Sequence, residues 1–276
     1  MTDVALHYST GGPYVRVMAA LDALAPGGAP LTLEQLGGFD EFHSGGRMAT
    51  DRLATLLALG PDDVVLDAGC GLGGSARYLA DRYGCRVVGV DLTPEFVALA
   101  THLNERTGLA GQVDVHVGDL CDLDLDDHSV DVVWICHISM NVLDKAAMLA
   151  ELARVLRPCG RLALFEIVAG DGDGDLEFPV PWATEPSGSH LVTADTLRDL
   201  LVEAGFAVEE WHDPTAEVMS AVRGRYEDFV ADPPRPDALG MHTYVPDLTN
   251  RVGGYVRNSD AGRTGLVMCV ARLAEG

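Results

Sequence analysis

Positive charge is what this 276-residue chain has least of: 19 Lys plus Arg face 42 Asp plus Glu, a formal balance of −23, and Lys145 is the single lysine. That balance excludes most polyanionic partners, because binding a nucleic acid depends on clustered cations that release its counterions. An anionic membrane surface is excluded on the same ground. No apolar run reaches the roughly 20 residues needed to span a bilayer. Residues 1–7 lack the basic and apolar regions of a secretory signal. The six cysteines (Cys70, Cys85, Cys121, Cys136, Cys159 and Cys269) contain no CxxC pair and are expected to be reduced thiols of a cytoplasmic protein. The nine histidines show no HxxxH or HxH spacing, so no metal is expected. The acidic run at 171–175 starts like a calcium loop, but Leu176 and Trp182 stand where the glycine and the glutamate should be. No internal repeat is present.

What remains is an ordinary globular composition, 47% hydrophobic and 22% charged, long enough for one large domain with an appendage. From Pro61 onward, short apolar runs alternate with amphipathic stretches. Strands are expected over 64–67, 86–90, 113–118, 130–135, 161–167, 206–211 and 264–272. Helices are expected over 74–83, 94–107, 145–156 and 194–204. Thr93 is the expected N-cap of the second helix, with Pro94 at its first position and Gly108 at its end. Pro158 should stop the third and Gly205 the fourth. Strands separated by helices mean right-handed βαβ units, hence an α/β, Rossmann-like, doubly wound sheet. Residues 1–60 read as an N-terminal helical cap and 61–276 as the main domain. The irregular loop 168–192 and the lid-like insertion 214–262 belong to the latter.

The chemistry concentrates at LDAGCGLGG (66–74). Gly69, Gly71 and Gly74 satisfy GxGxxG, and Asp91 lies about 20 residues beyond Gly71. Taken alone, this leaves a dinucleotide and S-adenosylmethionine (SAM) both open. Asp67 decides between them, since a carboxylate at that turn would repel a pyrophosphate but suit a ligand carrying an ammonium and a sulfonium. Asp91, followed by Leu92, can accept from ribose hydroxyls. Asp119, followed by Leu120, can take an adenine amino group. Singly, each acid could be only a cap or turn residue; together they form one ligand-sized row.

These residues resemble the class I SAM-dependent methyltransferases, through LDAGCGLGG (66–74), GVDL (89–92), Gly118-Asp119 and RVLRPCG (154–160). FHSGGR (42–47), HISMN (137–141) and PVPWA (179–183) are more narrowly similar to the sarcosine/dimethylglycine-type and quinone-biosynthesis-type small-molecule enzymes. Two positions depart from that pattern: Cys159, where glycine is usual, and Glu166, where a shorter Asp is common. The resemblance implies a seven-stranded sheet of order 3-2-1-4-5-7-6 with strand 7 antiparallel. It implies SAM as cofactor, and Cys136 close to it where strand 4 opens out.

Methyl transfer from a sulfonium is an in-line displacement that needs alignment, a dry pocket and removal of the acceptor's proton. His137 is the first candidate base, with an ordinary pKa of about 6.5. Glu166 could orient that ring, hold a cationic acceptor, or be the base itself. Arg47 is expected to pair with the SAM carboxylate through its planar fork. Tyr8 and Tyr14 could close over the cofactor, and Trp182, Trp211 and Tyr226 could wall the acceptor pocket. The expected function is methyl transfer to O, N or activated C of a small molecule, such as a specialised metabolite. The alternatives are an NAD-linked oxidoreductase and a non-catalytic SAM-binding protein. The expected partner is a small-molecule acceptor, with no nucleic acid and no membrane; a homodimer is left open.

Overall fold

A computed structural model describes residues 12–274; Tyr8 lies outside them. The strands are β1 (Val64–Ala68), β2 (Arg86–Asp91), β3 (Val113–Val117), β4 (Val130–Cys136), β5 (Leu156–Ala169), β6 (Phe206–His212) and β7 (Thr264–Leu273). They form one sheet of order β3-β2-β1-β4-β5-β7-β6. All pairs are parallel except those of β7, which runs antiparallel to β5 and β6. The central strands VVLDA and VDVVWIC are apolar on both sides because helices cover both faces. Two cores result, one on each face, around Trp134 and Phe165 and around Val133 and Leu164.

Before the sheet come α1 (Pro13–Leu24), α2 (Leu33–Leu36) and α3 (Arg47–Thr55). Thr32 and Gln35 close a reciprocal cap on α2. Val17 and Leu21 of α1 join Leu99 and Leu103 in a third core, each buried side chain worth about 1.5–3 kcal/mol. The crossovers are α4 (Gly74–Tyr83), α5 (Pro94–Thr107), α6 (Lys145–Val155) and α7 (Ala194–Glu203). The stretch between β6 and β7 folds as α8 (Thr215–Ala231) and α9 (Leu248–Asp260).

Three local details differ from expectation. Thr93 precedes α5, but its side chain makes no capping bond; its amide instead donates to Asp91 Oδ1 at 2.8 Å. α6 stops at Val155, one residue early, and β5 begins at Leu156, opposite Val130. Pro158 therefore sits within the strand's irregular start, where a register shift frees it from the ladder. Cys159 adopts φ 62°, the left-handed conformation in which glycine is unstrained. Among the described residues no helix is long and apolar enough to cross a membrane.

Candidate cofactor and acceptor cavity

After β1 the chain turns through residues 69–73 before α4 begins. Gly69 has φ 82° and Gly71 φ 52°, conformations that strain an L side chain. Space also forbids one at Gly69, where a Cβ would lie 2.2 Å from Ile138 Cδ1. At Gly71 nothing lies within 4 Å of that position, so its backbone faces open space. The Gly69 and Cys70 amides donate to Val90 O at 2.7 and 3.1 Å. The Gly71 amide donates to Asp91 Oδ2 at 2.9 Å, tying the turn to the end of β2.

The turn borders a cavity of about 740 Å³ at the carboxyl ends of the strands, where β1 and β4 are neighbours and the strand order reverses. Asp67, Asp91 and Asp119 all line it, as do Gly69, Gly71, Leu92, Leu120 and Cys136. Asp67 is buried and its Oδ2 has no hydrogen-bond partner. Burial, reinforced by the charge of Asp91, raises its pKa to about 7. Asp91 is also raised by burial, against which the Thr93 and Gly71 amides stabilise its charge. Asp119 Oδ1 accepts from the Cys121 amide at 2.9 Å. A buried orphan acceptor, a side-chain-free turn and a row of acids fit a ligand rich in donors and positive charge.

The other end of the cavity is apolar and aromatic. Val222, Tyr226 and Phe229 of α8 contribute, with Val252 and Tyr255 of α9 and Met140, Trp182 and Met241 from the loops. Trp211 lies elsewhere, beneath the Arg198 guanidinium at 5.5 Å. Tyr14 does not line the cavity and is partly exposed.

Three candidates sit otherwise than their sequence positions suggested. Arg47 does not reach the cavity wall. Its guanidinium lies 4.5 Å over the Tyr78 ring, with Nη2 3.1 Å from Glu41 Oε1. Glu166 is fully buried but points away from the cavity, because side chains alternate along β5 and its neighbour Ile167 takes the cavity side. Its carboxylate accepts from the Ile138 amide at 3.0 Å, and from the Ser139 amide and hydroxyl at 3.1 and 2.8 Å. Burial raises Glu166 to about 7 despite those bonds. His137 does line the cavity, but both its ring nitrogens are engaged. Nδ1 donates to Phe165 O at 3.0 Å, which leaves Nε2 to accept from the Ser44 amide at 3.2 Å. The Ser44 hydroxyl lies 2.9 Å from Nε2 and donates to Tyr255 Oη at 3.2 Å. Burial and the nearby His43 lower His137 to about 3, so the ring stays neutral and is a weak base. Its φ of 55° swings the chain off β4 toward the N-terminal segment.

Asp40, Glu41 and Ser44 also line the cavity. Asp40 pairs with Arg77 Nη2 at 2.7 Å, both side chains being fully buried. Arg77 in turn donates to Asn104 Oδ1 at 2.9 Å and Leu72 O at 2.7 Å. The available sequence signal was two consecutive acids directly before FHSGGR.

A glycine turn, an unpartnered buried acid and the switch-point cavity occur together on this sheet order. The middle of the chain matches a methyltransferase domain. Residues 66–164 match the family model described as "Methyltransferase domain", and the sheet has the strand order of the methyltransferase fold. The chain is 30% identical over 239 residues to a phosphoethanolamine N-methyltransferase of Triticum aestivum, covering 84% of this chain and 45% of that protein. Other relatives bear the names O-methyltransferase cnsE, from Penicillium expansum, and sterol 24-C-methyltransferase, from Eremothecium gossypii. The chain spans about half the length of the curated relatives it matches. Among solved structures, the [4+2]-cyclase SpnF shares 24% identity at TM-score 0.71, covering 98% of this chain and 97% of that one. A putative sarcosine dimethylglycine methyltransferase from Galdieria sulphuraria shares 19% at TM-score 0.67, covering 88% and 97%. At these identities the likeness is one of fold.

Proposed function

We propose that this chain is a SAM-dependent methyltransferase acting on an O, N or activated C atom of an apolar small molecule. The observation that carries the reading is the row of Asp67, Asp91 and Asp119 along one cavity, with Asp67 Oδ2 buried and unpartnered. When bound, SAM supplies a methyl group already activated on a sulfonium. Asp67 would meet its positive charge. Asp91 would accept from the ribose hydroxyls, since each of its oxygens keeps a lone pair beyond its backbone bond. Asp119, Leu92 and Leu120 would hold the base, and the turn at Gly69 and Gly71 would let the ligand approach the backbone.

The aromatic wall aligns the acceptor and excludes water, which is the larger part of what a displacement needs. The segment before the sheet serves as a cap and 214–262 as a lid. His137 is a positioning residue: it brackets the Phe165 carbonyl against Ser44 and so seats the cap over the cavity. Glu166 likewise positions the loop after His137. Cysteines spread along the chain with no CxxC pair support a reducing, cytoplasmic setting.

A second reading is favoured by one observation. His43 and His137 are both buried and hydrogen-bonded, and burial lowers them to about 4 and about 3, so neither offers a ready base. A protein that binds SAM without consuming it would need none. The test is release of S-adenosylhomocysteine from SAM across a panel of apolar acceptors bearing phenol, amine or enol groups. Release with any of them establishes turnover. SAM binding without release across the panel favours the second reading.

A further inference from the structure

Glu41 is buried to 1% exposure on the cavity wall, and neither carboxylate oxygen has a hydrogen-bond partner. Its one ionic contact is Arg47 Nη2 at 3.1 Å; His43 Nε2 lies 3.9 Å away, and the Thr50 side chain also favours the charged form. His43 is neutral, held low by burial, and Arg47 also serves the Tyr78 ring. Around Glu41 stand Asp40 beside it, Thr50 and Arg47 of α3, Arg77 of α4 and Asp67 of β1, with Asp91 acting on Asp67 from β2. Arg77 is committed to Asp40, Asn104 and Leu72. Three acids (Asp40, Glu41 and Asp67) thus share two guanidiniums (Arg47 and Arg77), with the charge of Asp91 close to Asp67, and Glu41 and Asp67 carry buried oxygens that accept no hydrogen bond into one cavity. Leaving a buried acceptor unmet costs about 1–3 kcal/mol, more if it is charged. A fold that keeps such a pair beside a cavity is built for a ligand that supplies the donors.

We propose that Glu41 is a second carboxylate of the cofactor site: with Asp67 it forms a two-acid cradle for the cationic part of SAM, and cofactor uptake expels protons from that pair. This rests on the reading of the cavity as a SAM site. Burial raises each acid to about 7, so near neutral pH the pair holds about one proton in the absence of ligand. A cation between them favours both ionised forms, and the displaced proton passes to the buffer.

The test is calorimetric titration of SAM into the full chain at pH 7, in buffers of different ionisation enthalpy. Release of roughly one proton per SAM is expected at pH 7, and affinity should rise about thirtyfold from pH 6 to pH 7. That window keeps the ligand's own amino group protonated. Glu41→Gln should lower the proton count by about half and weaken SAM about tenfold. Unchanged proton count and affinity in the variant would overturn the proposal. If the variant does not fold, the wild-type pH series decides, a flat affinity overturning it. Absence of any SAM heat in the wild type would instead bring down the SAM-site reading itself.

Discussion

At the residue scale, the acids at this cavity and the polar groups behind it divide by what faces them. Asp67 Oδ2 and the Glu41 carboxylate face the cavity and accept no hydrogen bond, whereas Glu166 looks the other way and is saturated. Glu166→Gln puts an amide N–H₂ where an acceptor is required, leaving the Ile138 or Ser139 donors unmet. A loss of about 1–3 kcal/mol of stability in denaturant unfolding is expected. The SAM dissociation constant should change little, because the side chain does not touch the cavity. The held neutrality of His137 gives a second prediction. At saturating cofactor, kcat should show no inflection near pH 6.5 that His137→Asn removes; such an inflection would restore the ring as the base. Parity along a strand was legible in the sequence, but not which parity faced the ligand. Glu166 was therefore placed at the right strand end and on the wrong face.

At the scale of elements, the segment before β1 is fastened to the sheet and its helices by a buried charge pair as well as by packing. Asp40→Asn removes half of the Arg77 pair and leaves a buried guanidinium under-compensated, which costs about 3–5 kcal/mol. Denaturant unfolding measures it, and a change below about 1 kcal/mol would assign the fastening to the apolar core of α1 instead. At the entry to β5, Cys159→Gly relieves a left-handed backbone. The relief is about 1–2 kcal/mol, partly offset by glycine's greater unfolded freedom. A net gain of about 0.5 kcal/mol is expected, seen as a rise in Tm of about 1–2 °C. The α6 boundary was legible to within one residue. The early start of β5 was not, since it arises from pairing with Val130 across the sheet.

For the whole molecule, the cavity couples stability to ligand and to pH. SAM at a hundredfold excess over its dissociation constant should stabilise the chain by about 2.7 kcal/mol, whereas NAD should leave Tm unchanged. A shift with NAD alone would reinstate the dinucleotide reading. Without ligand, Glu41, Asp67 and Glu166 all have folded pKa values raised to about 7. Their contribution favours the folded state below the unfolded carboxylate pKa of about 4 and is lost as pH rises toward 7. His43 and His137 are depressed to about 4 and about 3, so their contribution is present above about pH 6.5 and is lost as pH falls. Thermal melts should therefore show a shallow pH dependence between pH 5 and 7, and Glu41→Gln should tilt it toward greater stability at pH 7.

Sequence alone determined the alternation of strands and helices, the glycine turn and the three acids after successive strands. These are local: side-chain periodicity, backbone conformation and position at a strand end are all properties of short stretches. The tertiary structure decided which polar groups are free. Arg47 turned to Glu41 and Tyr78, Glu166 to the Ile138–Ser139 amides, and His137 to Ser44 and Phe165. Tyr78, the Ile138–Ser139 amides, Ser44 and Phe165 are all distant in sequence from the groups they engage. Whether a buried group is a tool or a fastening depends on which donors and acceptors the fold brings within 3 Å of it.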